Sequence, residues 1–119
     1  MQGTRIQLGQ LPKLLHIQSN TYIELPLHLP VIHIGKPNER IKPNIDVSKF
    51  PNADVVSRVH ATIYIEGNTY FIEDAGSVNG TYLNHNLLVP KTRYSINIGD
   101  RIDLGKDNQV TFIFLFLFI

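Results

Sequence analysis

The chain contains no cysteine. That excludes a disulfide framework, a thiolate metal site and a cysteine nucleophile. It has only 3 alanines and 4 glutamates, two residues that helices prefer, and no segment keeps a helical period. No apolar run reaches the ~18 residues of a membrane helix. The stretch Met1–Arg5 has no apolar segment behind a positive charge, so no secretory leader is expected. Neither charge sign is in excess, with 11 Lys and Arg against 10 Asp and Glu. That removes nucleic-acid binding by bulk charge, and no basic cluster or aromatic stacking platform suggests it locally.

What the chain does have is β-branched. Isoleucine occurs 15 times, valine 8 and threonine 7, side chains that fit a pleated surface. A hydrophobic content of 43% with 18% charge is ordinary for a globular protein. The 119 residues amount to one domain, 1–119, able to bury about two thirds of its unfolded surface.

Glycine and proline divide the chain into short pieces. Leu14–Gln18 and Tyr22–Leu25 read as a hairpin about Ser19-Asn20. Val31–Ile34 is a strand closed by Gly35. The stretch from Lys36 to Val55 carries Pro37, Pro43 and Pro51, which makes it a poor helix and a poor central strand. Long loops of this kind in small domains are more often functional. Further strands are expected at 60–65, 70–73, 81–83, 87–89, 93–96 and 101–104, with a last one from Val110. About ten short strands at close spacing predict an all-β sandwich.

Three loop motifs carry the chemistry. They are Gly35-Lys36, Ser57-Arg58-Val59-His60 and Ser77-Val78-Asn79-Gly80-Thr81. Ser57 and Ser77 offer hydroxyls, Lys36 and Arg58 charge-assisted donors, and Asn79 both a donor and an acceptor. Gly80 permits a turn with positive φ. Gathered at one end of a sandwich, these groups would form a cationic nest suited to phosphate, with no acid, base or nucleophile pair.

The motifs, in this order and with Gly99-Asp100 after them, resemble the forkhead-associated (FHA) domains over residues 14–114. The family implies an eleven-stranded β-sandwich of two mostly antiparallel sheets, with no catalysis and no cofactor or metal. It also implies binding of phosphothreonine peptides through loops at one end. By that resemblance Ser57 bonds the phosphate and Lys36 takes the place of a phosphate-contacting arginine. Arg58 reaches phosphate beside it, Ser77 and Val78 are phosphopeptide-binding positions of one loop, and Asn79 holds the peptide backbone. Gly35, His60 and Gly80 are scaffold positions. Lysine is a point charge where arginine is a planar fork, so weaker phosphate binding is expected. Val78 stands where some members have a threonine hydroxyl, leaving its backbone N–H. Val55 matches a position that selects a flanking side chain in some members. The partner implied is a protein phosphorylated on Ser or Thr, which places the domain in the cytoplasm, where kinases work.

The same residues admit other readings. Five histidines show no paired ligand spacing, so no metal site is expected. A Ser57–His60–Asp74 hydrolase lacks a nucleophile elbow and an oxyanion helix. An FHA-like interaction or oligomerisation module that ignores phosphate is the alternative, kept open by Lys36 and Val78. The carboxyl end alternates Phe112, Phe114, Phe116 and Phe118 with Ile113, Leu115, Leu117 and Ile119, so both faces are apolar. Pairing with the first strand accounts for Val110 to about Phe114. Residues 115–119 read as an apolar extension of the last strand and suggest self-association.

Overall fold

A computed structural model describes residues 10–118. It is all-β, with eleven strands in two sheets. These are β1 Gln10–His16, β2 Thr21–Glu24, β3 Val31–Gly35, β4 Ile45–Asp46, β5 Ala61–Glu66 and β6 Thr69–Asp74. They continue as β7 Thr81–Leu83, β8 Asn86–Leu87, β9 Tyr94–Ile96, β10 Arg101–Leu104 and β11 Thr111–Phe118. One sheet runs β2-β1-β11-β10-β7-β8 and the other β4-β3-β5-β6-β9. All pairings are antiparallel except β3 with β4. β4 lies inside the proline-rich 36–55 stretch, which also holds a 3-10 turn at Ala53–Val55. Two residues with prolines either side give no periodic signal, so the sequence shows only a loop there.

Alternation builds the core. In β3, Ile32 and Ile34 are buried while Val31 and His33 face out. Ile63, Ile72 and Ile96 from the same sheet meet Leu14, Ile102, Leu104, Phe112 and Phe114 from the other in one hydrophobic cluster. His16 is buried in it, stacked 3.9 Å on Phe50, with Nδ1 on Ser19 and Nε2 without a hydrogen-bond partner among the described residues.

The last strand is paired further than expected. β1 starts at Gln10, four residues before the predicted strand, and matches β11 from His16↔Phe112 to Gln10↔Phe118. Residues 115–118 therefore continue the last strand and are paired with β1 along their length. Pro12 fits in β1 because the N–H it lacks would face the β2 side, past the end of β2 at Glu24; its carbonyl, on that same side, accepts from Leu25 N–H at 3.5 Å. Beyond Phe114 no described strand pairs with the other edge of β11.

Candidate functional site

Four connections matter here: Lys36–Asn44, Val47–His60, Ala75–Gly80 and Gly105–Val110. Main-chain bonds tie them together. Lys36 N–H donates to Ser57 O at 3.1 Å, His60 N–H to Ile34 O at 2.8 Å and Gly105 N–H to Gly80 O at 2.8 Å. The approach of 35–36 to 57–58 is so close that a Cβ on Gly35 would lie 2.0 Å from Arg58 O. Only glycine fits there.

His60 is the central brace. Ser57 N–H donates to its Nδ1 at 3.0 Å, so the proton sits on Nε2, which donates to Gly80 O at 2.7 Å. Burial lowers its pKa, against the opposing pull of the Gly80 carbonyl and the Asp74 charge. A neutral ring with both nitrogens on the main chain has no nitrogen free to act as a base for Ser57. The geometry therefore gives no Ser–His nucleophile pair.

A second brace, Asp74, escaped the sequence reading as a support residue. Its carboxylate accepts from Ser77 Oγ at 2.6 Å, Thr81 Oγ1 at 2.7 Å, Gly76 N–H at 3.0 Å and Ser77 N–H at 3.1 Å. Burial pushes its pKa up, but the Ser77 and Thr81 hydroxyls with the two amides outweigh this and hold it below the ordinary range. Asp74-Ala75-Gly76-Ser77 carries the signature of a carboxylate folding back on its own turn, the signal that could have revealed it.

Ser57, Lys36, Arg58, Val78 and Asn79 line one open groove of about 290 Å³, with Val55 and Asp54. Ser57 Oγ accepts from Val78 N–H at 3.1 Å, so its own hydrogen remains to be donated. Asn79 Nδ2 donates to Val55 O at 2.8 Å, which leaves its Oδ1 as an acceptor. Among the described residues neither Lys36 nor Arg58 is in a salt bridge. Ser77 is not in this groove. Its hydroxyl donates to Asp74 and accepts from Gly80 N–H at 2.9 Å, so it serves the loop rather than presenting a donor. Gly35, His60 and Gly80 lie behind the groove as its frame. Gly80 holds φ 86°.

A two-sheet sandwich braced in this way is a scaffold for loops at one end. The FHA domain model matches residues 32–105, and the chain belongs to the FHA domain family. It is 55% identical over 111 residues to protein FraH of Nostoc sp. strain PCC 7120, covering 92% of this chain and 38% of FraH. The chain thus spans well under half the length of that relative. Among solved structures it is similar to EmbR of Mycobacterium tuberculosis in complex with a low-affinity phosphopeptide. The TM-score is 0.71 at 25% identity, covering 92% of this chain and 25% of EmbR. An FHA domain studied for phosphothreonine-dependent interactions shares the fold with TM-score 0.69 at 22% identity, over 88% of this chain and 95% of that one.

Proposed function

We propose that this chain is a phosphopeptide-binding adaptor that recognises phosphothreonine in a partner protein through the loop end. The observation that carries the reading is the meeting of Lys36, Ser57, Arg58 and Asn79 in one groove, its two cations in no salt bridge among the described residues. Ser57 donates its hydroxyl hydrogen to a phosphate oxygen while Val78 N–H polarises it from behind. Lys36 and Arg58 supply charge-assisted donors. Asn79 Oδ1 accepts from the peptide backbone. Each bond to a charged group contributes about 1.5–3 kcal/mol. Losing two would weaken an unphosphorylated peptide by roughly 100-fold or more.

Members of the family are non-catalytic interaction modules. The reading puts the domain where protein kinases act, in the cytoplasm. The test is fluorescence anisotropy with phosphothreonine, phosphoserine and unmodified forms of one degenerate peptide library. Selective binding of the phosphothreonine form is expected. Equal binding of the unmodified form would overturn the reading.

A second reading, contact between copies through β11, is favoured by one observation. On its β10 side the strand has no described neighbour past Phe114, and open edges recruit further strands. Light scattering across a concentration series tests it, with Leu115→Lys/Leu117→Lys as the control. A monomer at every concentration would dismiss it.

A further inference from the structure

Across the Val78–Gly80 turn from the phosphate groove lies a second open groove of about 290 Å³. Its walls include Val78, Tyr82, Leu87 and Pro90, with Lys106 at the rim and Gly80 in the floor. Val78 is 89% exposed and Leu87 62%. Leu87 belongs to β8, an edge strand two residues long, a place where folds usually put charge or proline. It leans over Gly80, where an added Cβ would meet Leu87 Cδ1 at 2.8 Å. The missing side chain at Gly80 keeps the floor of the groove low. Asp74 also lines it, but four hydrogen bonds occupy its carboxylate. With Ser77 turned to Asp74 as well, the accessible lining is mainly apolar, and clustered exposed apolar side chains mark contact sites.

We propose that this groove seats a large aliphatic or aromatic side chain of the same phosphopeptide. The domain then selects Leu, Ile, Met or Phe close in sequence to the phosphothreonine. The inference rests on the phosphopeptide reading above. Continuity argues for this occupant, because Val78 and Asn79 line both grooves. A peptide held by its backbone at Asn79 passes its next side chains over Val78. An extended chain turns successive side chains to opposite sides, so one of them faces the apolar wall while the phosphate stays in its own groove. Lys106 at the rim disfavours a basic side chain there.

The experiment uses a phosphothreonine peptide library degenerate at the flanking positions, bound to the intact chain and to Leu87→Asp. A milder Leu87→Ser variant and melting curves guard against misfolding. The expected result is a preference of about fivefold for a large apolar residue over alanine at one position, as partial burial of such a side chain supplies. That ratio should collapse towards one in both variants. Phosphothreonine binding with no apolar preference, or with one that survives both substitutions, overturns the inference and leaves the phosphopeptide reading standing. No phosphothreonine binding by the intact chain overturns both.

Discussion

Two buried aspartates are held in opposite ways. Asp74, at the end of β6, is 1% exposed, and all four of its donors are neutral amides and hydroxyls from its own loop and β7. Asp103, in β10, is 5% exposed and sits against a cation. Arg101 Nε and Nη2 reach it at 2.8 and 3.1 Å and Thr111 Oγ1 at 2.6 Å. Arg101 extends to Asn108, and Thr111 to Gln18. The salt bridge lies within β10, and Thr111 ties it to β11. The neutral cage instead shapes the Ala75–Gly80 turn from within, so the carboxylate works as a template for that loop. Charge pairing tolerates movement of a long side chain, whereas four short bonds to main chain and hydroxyls do not.

The sharpest break of that contrast is at Gly35, on the same loop end. Gly35→Ala drives a Cβ into the Arg58 carbonyl, and a loss at or beyond about 4 kcal/mol is expected in urea unfolding. A mild effect would show that the loop end yields more than its braces imply. Next come the aspartates themselves. Asp74→Ala strands two amides and two hydroxyls and should cost about 3 kcal/mol, against about 1–2 kcal/mol for Asp103→Ala, where Arg101 can turn to water. Equal losses would remove the distinction drawn here.

Acid should act more gently. Burial lowers the pKa of both His16 and His60, so the folded chain keeps them neutral while the unfolded chain takes up protons. Their stabilisation is complete above the ordinary histidine value, about 6.5, and falls away as pH drops below it. Asp74, held low, loses its share only in stronger acid, as pH falls through its folded value. The melting temperature of the peptide-free chain should therefore fall between pH 7.5 and 5.5, and a flat profile would count against this account. Ser57→Ala should weaken phosphothreonine binding about tenfold with little change in melting, since the Val78 N–H it leaves can turn to water. Smallest of all, Lys36→Arg should tighten binding a few-fold by adding a planar fork. No change would mean that Lys36 does not reach the phosphate.

Much of this architecture was readable along the chain. The strand at Val31–Ile34, the alternation at 60–65 and the turn at Ser19-Asn20 read out because strand period and turn chemistry are local. β4 was not readable, as two residues give no period. The reach of β1 to Gln10 was hidden because Pro12 normally argues against a strand. Lys36, Ser57, Arg58, Val78 and Asn79 stood out as motif residues and share one groove. Ser77 stood out beside them but faces Asp74, and neighbours in sequence cannot show which way a hydroxyl turns.

By itself the sequence determined the fold class, the glycines on which the loops depend and the residue types able to hold phosphate. Composition, spacing and backbone freedom are properties of single positions and short segments. Only the tertiary structure decided that Asp74 is a brace, that His60 spends both nitrogens on main chain, and that Val78 and Leu87 form one apolar wall. Those facts are distances between residues far apart in the chain, set by how the two sheets pack.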